Sequence, residues 1–257
     1  MMLPYGMRVS TLEERKTFYK NFNVKKARDW VGRKLVYLVV IGRHSNIYPP
    51  EYKDDKNDPL AIDNYKTLAD VHRLILRFLP EGVYYDRNYY KDFSLCHTYN
   101  LRKAWTWDNF DGQELAFDID PENQDCPIHG TLQQRIKKGK GLAFCETEFT
   151  IAQHNTAVLY DSMKENYSDV RIVFSGRGFH VHVMDKDTRH LTKKQRRHLA
   201  QEYKHLGIDT WVTKGDMRLI RLPYTLNGVS SRIVTPLTRT HLEAFNPRTD
   251  ALPNFLK

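Results

Sequence analysis

Cysteine is scarce in this chain: three residues among 257, Cys96, Cys126 and Cys145. So few, and an odd number, exclude a disulfide-built scaffold and point to a reducing, cytoplasmic setting. Long apolar runs are missing too. The longest candidate, Leu35 to Ile41, is far short of the roughly 18–20 residues a membrane span needs, and it reads as a buried strand. Met1 to Val9 lacks a charged segment followed by an apolar run, so no secretory signal is expected. Repeats, low-complexity segments and Pro- or Gly-rich linkers are also absent. Nothing forces a domain boundary, and a single domain over residues 1–257 is expected. Negative charge is in deficit: 40 Lys and Arg against 31 Asp and Glu leave a net +9. Such a surplus suits a polyanionic partner, most commonly nucleic acid, although solubility alone would account for it.

Hydrophobic residues at 40% and charged residues at 28% make an ordinary globular mix with enough chain for a core. Residues 11–31 read as helix, with Thr11 as N-cap and Glu14 completing a capping box. Lys34 to Ile41 is a strand, and the proline-bearing stretch 44–60 a loop. Residues 64–79 place Leu68, Val71, Leu74, Ile75 and Phe78 at helical spacing. Val83 to Tyr85 starts a strand; Leu101 to Trp107 is aromatic and basic, without periodicity. Residues 121–141 read as an insertion and 150–166 as helix. Arg171 to Phe174 and Phe179 to Met184 are strands joined by a glycine turn. Thr192 to Leu206 is a basic helix capped by Thr192 and stopped by Gly207. Arg218 to Leu222 is a short strand, and the tail beyond 240 is irregular. The mixture is α/β or α+β.

Three segments carry chemistry. Glu114 to Asp120 reads as a buried strand ending in carboxylates. Strand alternation puts Asp118 and Asp120 on one face, roughly 6–7 Å apart. Two such carboxylates repel unless a cation lies between them, and Mg²⁺ or Mn²⁺ takes hard oxygen ligands. A strand running into an acidic turn would look the same. In Ser175-Gly176-Arg177-Gly178, two glycines flank an arginine. Glycine permits positive φ and close approach, so consecutive N–H groups can cradle an anion while Ser175 and Arg177 add donors. On the strand that follows, His180 and His182 share one face. Phe179, Val181 and Val183 share the other, expected to pack under a helix while the imidazoles line the open side. The bland alternative is a hairpin turn with two surface histidines. The third segment runs from Asp209 through Lys214, Arg218 and Arg221 to Pro223, a carboxylate followed by cations. Arg218 and Arg221 point opposite ways on a regular strand, so only some of them reach one ligand.

In order and spacing these segments resemble the archaeo-eukaryotic primase superfamily, above all the small catalytic subunit of archaeal primases. Glu114 to Asp120 is similar to its paired-aspartate motif, Ser175 to His180 to its Ser-Gly-Arg-Gly-x-His motif, and Asp209 to Pro223 to its third-aspartate motif. Glu14 to Tyr19 and the Phe245-Asn246-Pro247 and Leu252 to Phe255 segments extend the resemblance to nearly the whole chain. It implies a mixed-sheet α/β catalytic core with an RRM-like palm and an N-terminal α/β unit. It implies template-directed nucleotidyl transfer with Asp118, Asp120 and Asp209 holding two Mg²⁺ or Mn²⁺ ions. Ser175, Gly176, Arg177, Gly178 and His180 then bind the triphosphate, with Lys214, Arg218 and Arg221 adding charge. The implied partners are single-stranded DNA template, a primer strand and NTP or dNTP, with a large primase subunit or a fused C-terminal region as a further one. A prokaryotic member would be nucleoid-associated. Two departures matter. The chain is short between the second and third motifs, as in a minimal core or the catalytic piece of a longer protein; this favours mobile-element, CRISPR-associated or repair roles over a replicative one. Asn227 stands where the family usually has a histidine.

Cys126-x₂-His129 is a half-site for tetrahedral Zn²⁺, and Cys145 offers a third ligand 16 residues beyond His129. The resemblance implies a zinc knuckle in the 121–150 insertion, with Glu148 where a last cysteine would fall. Cys96, His97 and His154 are rival ligands, and a loop with two ordinary thiols is the plain alternative. The basic run Arg135 to Lys140 either touches template phosphates or is solvated. Two other functions compete. His180-Val181-His182 fits the metal motif of a rolling-circle nicking endonuclease with Tyr167 as nucleophile, which leaves Asp118, Asp209 and the glycine turn without roles. The other is an inactive nucleic-acid-binding module.

Overall fold

The computed structural model describes residues 3–98, 107–139 and 143–257. Residues 101–106 of the aromatic, basic stretch and Lys140 of the basic run lie outside them. In chain order the elements are α1 (Leu12–Lys20), α2 (Val24–Val31), β1 (Tyr37–Val40), β2 (Leu60–Ile62), α3 (Leu68–Phe78), β3 (Gly82–Asp86), β4 (Asn88–Tyr90), β5 (Phe110–Gln113) and β6 (Leu115–Ile119). There follow α4 (Leu132–Lys137), α5 (Glu146–Asn166), β7 (Val170–Phe174), β8 (Phe179–Val183), α6 (Lys193–Glu202), α7 (Thr210–Lys214), β9 (Leu219–Arg221), β10 (Leu226–Asn227), β11 (Arg232–Ile233), β12 (Thr235–Leu237) and α8 (Arg239–Ala244). Among the described residues no helix is long and apolar enough to cross a membrane.

Local chemistry sets these boundaries. Thr11 and Glu14 form the expected capping box, but α1 stops at Lys20 because Asn23 caps a second helix with its own side chain. The stretch 11–31 is therefore two helices rather than one. Thr67, Thr131 and Thr192 open α3, α4 and α6 in the same reciprocal way. The segment 192–206 ends in a 3-10 turn at Gly207, whose φ is +72°.

Two four-stranded sheets organise the chain, in the orders β2-β1-β3-β9 and β12-β7-β8-β6. Their pairings are antiparallel. In the second sheet, Leu115, Phe117, Ile119, Phe179, Val181 and Val183 face α5 and join Phe149, Ala152 and Leu159 in one core. The apolar face of β8 packs under a helix, as its alternation predicts. Each large side chain sealed there contributes about 1.5–3 kcal/mol, which outweighs any single surface pair. Ala116, on the opposite face of β6, belongs to the core built by α1–α3 and the first sheet, with Tyr37, Val39, Val71, Ile75 and Tyr85. The two sheets thus meet along the polar face of β6 and β8, where the functional side chains lie.

Candidate active site

β6 delivers Asp118 in direct register with His180 of β8, and His180 Nε2 lies 3.5 Å from Asp118 Oδ1. Asp209 joins them through the backbone: its N–H donates to Asp118 O at 2.7 Å, and an Ile119–Ile208 bridge lies alongside. The Asp209 side chain then caps α7, accepting from Trp211 N at 2.9 Å. A third carboxylate, distant in sequence, is thereby brought to the strand end that carries Asp118 and Asp120.

Their electrostatics are those of an anionic cluster only partly compensated by Arg177 and Arg221. Burial, then the charges of Asp120, Asp209 and Glu122, push the Asp118 carboxyl well above the usual range. Burial also raises Asp120, against the pull of Arg177. Asp118 Oδ1 is buried without a hydrogen-bond donor. Hard oxygen donors that repel one another, one of them orphaned, fit a divalent cation of the Mg²⁺ type.

Ser175 to Gly178 forms the adjoining wall. The turn is closed on itself: Ser175 N donates to Gly178 O at 2.8 Å, and Gly178 N donates to Ser175 Oγ at 3.1 Å. Both glycines are required. Gly176 has φ +93°, and a Cβ there would lie 2.4 Å from Asn227 Cβ; a Cβ on Gly178 would lie 2.4 Å from Ile119 O and 2.9 Å from Asp120 Oδ1. Gly178→Ala is therefore expected to displace Asp120 and the turn together. It should cost roughly 1–3 kcal/mol of stability and lower, at least about tenfold, the nucleotide incorporation that the resemblance implies. Activity assays paired with urea unfolding check this, and unchanged activity in a folded variant would show the close approach to be irrelevant.

A narrow cavity of about 170 Å³ lies between these walls, lined by Asp118, Asp120, Ser175, Arg177, His180 and Arg221, with His44, Tyr84, Leu219, Ile220, Asn227 and Val229 completing it. His180 is buried, and desolvation first, then the cations around it, hold its imidazole well below the usual pKa, so it is neutral. Arg221 stacks on Tyr84 at 4.8 Å, and its Nη1 is buried without a hydrogen-bond acceptor. A polar cavity rich in donors suits phosphate groups.

Other expected residues lie elsewhere. Arg218 ion-pairs with the fully buried Asp86 and donates to Tyr90 OH at 3.4 Å, so its guanidinium is engaged away from the cavity. Lys214 closes α7 and does not line the cavity. Asn227, in place of the family's histidine, is used internally: its Nδ2 donates to Ser175 O at 3.1 Å and its Oδ1 accepts from Val229 N at 3.1 Å. His182 does not line the open side, contrary to the alternation argument. It is fully buried, with Nδ1 2.8 Å from Glu114 Oε1 and its ring edge-on to Trp30. The paired-histidine metal site of a nicking endonuclease is therefore not formed, and Tyr167 packs against the core under α5. Glu122 went unread in the sequence. Burial and then Asp120 push it up to about 7, against an ion pair with Arg177 at 2.7 Å. Its only sequence signal is its position just past Asp120. A second cavity of about 600 Å³, lined by Asp209, Glu122, Lys204 and Ile136, opens on the other side of Asp120.

In the insertion, Cys126, His129, Cys145 and Glu148 gather, with ligand atoms all within 4.8 Å of one another. Cys126 Sγ lies 3.5 Å from His129 Nδ1 and 3.8 Å from Cys145 Sγ. Glu148 Oε2 accepts from Cys145 N at 2.7 Å, while Oε1 faces buried Arg135 at 2.9 Å. Arg135 also donates to Ala143 O at 3.2 Å. This first residue of the basic run is therefore structural. Of the rival ligands, Cys96 packs with Val36 and Leu38, His154 is exposed on α5, and the His97 side chain lies outside the described residues.

Comparison with known proteins identifies relatives of the chain and of its fold. Residues 117–209 match the family model described as DNA primase small subunit. The chain is 50% identical over 260 residues to an uncharacterized DNA primase small subunit-like protein of Archaeoglobus fulgidus, covering 98% of this chain and 93% of that one. The DNA primase small subunit PriS of Pyrobaculum calidifontis is 28% identical over 229 residues, with 70% of this chain and 67% of the relative covered. For PriS of Pyrococcus abyssi the identity is 28% over 192 residues, 74% of this chain and 48% of the relative. In fold, the polymerase domain of Mycobacterium tuberculosis Ligase D, solved in complex with DNA, superposes with a TM-score of 0.54 at 12% identity, covering 98% of this chain and 91% of that one. The chain belongs to the DNA primase small subunit family.

Proposed function

We propose that this protein is a template-directed nucleotidyltransferase that makes or extends primers on single-stranded DNA. The observation that carries the reading is the backbone bond from Asp209 to Asp118, which brings a third carboxylate to a paired-aspartate strand end beside a donor-rich cavity. Asp118, Asp120 and Asp209 would hold two Mg²⁺ or Mn²⁺ ions, which when bound supply charge neutralisation at the α-phosphate and activation of a 3′-hydroxyl. The Ser175 hydroxyl, which lines the cavity, would donate to a phosphate oxygen while accepting from Gly178 N. Arg177 and Arg221 add guanidinium donors, and neutral His180 presents a ring N–H without adding charge. The relatives' names and the net charge of +9 support nucleic acid as partner. The test is incorporation of labelled nucleotides on single-stranded DNA, with and without a primer, in Mg²⁺ and in Mn²⁺. Products without a primer establish priming. Extension from a primer alone establishes a polymerase that needs help to initiate. No incorporation under any condition sinks the reading in favour of a binding module.

The Cys126, His129, Cys145 and Glu148 group supports a structural zinc site, because two thiolates and an imidazole suit Zn²⁺ better than Mg²⁺. Purified protein is expected to hold one zinc per chain, and Cys126→Ser to lose it together with stability. Metal analysis alongside thermal unfolding checks this; a folded, zinc-free wild type rejects the site.

A further inference from the structure

The loop between β1 and the following 3-10 turn is held by two buried charges that the reaction itself does not use. Arg15, 0% exposed, donates to Ile41 O at 3.0 Å, Ile47 O at 2.9 Å and Ser45 Oγ at 2.9 Å. Glu81, whose side chain is 2% exposed, accepts from His44 N at 3.0 Å, Ser45 N at 2.9 Å and Ser45 Oγ at 2.6 Å. It also faces His44 Nδ1 at 2.6 Å. Burial alone would raise the Glu81 carboxyl; these donors pull it down to about 2. As a carboxylate it only accepts, so the proton on His44 Nδ1 is fixed and the ring orientation with it.

What this bracing presents is one side chain. His44 is 41% exposed and lines the narrow cavity. Its place along the cavity follows from a chain of contacts. Asp118 pairs with His180, Ser175 O accepts from Asn227 Nδ2, and Gly228 N donates to Glu81 O at 2.6 Å. One route of contacts from the carboxylates to the His44 brace thus runs through Ser175 and Asn227, and another through Arg221, which lines the cavity beside Gly82. Of the residues lining the cavity with His44, Asn227 spends Nδ2 on Ser175 O and Oδ1 on Val229 N, and Val229 is apolar.

We propose that His44 Nε2 binds the terminal phosphate of the incoming nucleoside triphosphate, with Glu81 and Arg15 as its positioning residues. The assignment rests on the nucleotidyltransferase reading and adds a contact from the loop after β1 to a site otherwise built on β6, β8, β9 and the turn between β7 and β8. With Nδ1 turned to Glu81, the outer ring nitrogen of His44 is the atom left to meet a phosphate oxygen. A loop ordered in advance loses little further freedom on binding.

Binding of ATP, ADP and AMP to the full chain in Mg²⁺, by equilibrium titration, tests this. His44→Asn keeps an N–H near Nδ1 for Glu81 but removes the outer donor. It is expected to weaken ATP about ten- to a hundredfold and to leave AMP unchanged. His44→Gln, which extends an amide N–H back toward the Nε2 position, should recover part of the loss. Unchanged ATP affinity in a folded His44→Asn overturns the proposal, as does an equal loss for ATP and AMP. A wild type that binds none of the three nucleotides overturns the nucleotidyltransferase reading as well, and the wild-type arm alone reveals that.

Discussion

Asp118→Asn is expected to abolish nucleotide incorporation and, in metal-free buffer, to make the protein more stable. The two effects share one cause. Asp118 is a half-buried carboxylate, 21% exposed, facing Asp120 and Asp209. Asparagine keeps its shape and removes its charge, and an amide oxygen is a far weaker ligand for a hard dication. Losing one carboxylate from such a site forfeits several kcal/mol of charge stabilisation, so incorporation should fall by about a thousandfold or more. The stability effect has the opposite sign. Burial and like charges raise the Asp118 carboxyl in the folded state. A raised carboxyl weakens the fold as pH climbs from the unfolded value through the folded one, because the ionised form is disfavoured by folding. The wild type should therefore lose stability across that window, and Asp118→Asn should lack this component and melt a few degrees higher at neutral pH. Assays of incorporation and of thermal unfolding against pH, both without and with Mg²⁺, separate the two. Retained incorporation sinks the metal-site assignment. A lower melting point would mean that the carboxylate is part of the scaffold instead.

Much of the site could be read in the sequence because its residues sit on regular strands. Alternation alone put Asp118 and Asp120 on one face and Phe179, Val181 and Val183 under a helix, and the structure has that helix in α5. What alternation could not supply is depth. His182 shares a face with His180, yet the two sheets close over it and Glu114 takes its nitrogen, so one imidazole lines the cavity and the other is core. Arg218 and Arg221 were likewise separated by strand parity. Which of them faces the cavity depends on β9 pairing with β3, a contact set by tertiary structure. Long-range partners left no trace: His44 is a lone histidine in a loop, and only the burial of Glu81 and Arg15 beside it gives it meaning. The break between α1 and α2 is legible in Asn23, a good N-cap, which a single helix over 11–31 leaves unused.

Glu114→Ala is expected to cost about 3–5 kcal/mol of folding stability, the largest loss foreseen for any single side chain here. The carboxylate is fully buried where the two sheets meet. Its Oε1 accepts from Tyr85 OH at 2.9 Å and faces His182 Nδ1 at 2.8 Å; Oε2 accepts from Tyr85 at 3.0 Å and faces Arg33 at 3.9 Å. One side chain at the start of β6 thus ties β8 of its own sheet to β3 of the other. Burial by itself would raise its carboxyl, but His182, Arg33 and Arg87 outweigh burial and hold it below the usual range. A depressed carboxyl stabilises above its unfolded value and loses that contribution as pH falls toward the folded one, so the tie is intact at neutral pH. Alanine leaves the buried Tyr85 hydroxyl and His182 Nδ1 without the carboxylate they share and Arg33 without its counter-charge, and each loss is costly. For a chain of this length the loss corresponds to about 10 °C in melting temperature. Glu114→Gln keeps an acceptor for Tyr85 while discarding the charge, and should fall between. The functional consequence follows from register: His180 is two residues from His182 on β8, so loosening the tie should weaken nucleotide binding even where the variant remains folded. Urea unfolding of both variants, with nucleotide titration of the folded fraction, measures it. A Glu114→Ala protein within about 1 kcal/mol of wild type would show that the sheets are held by their apolar contacts and not by this carboxylate.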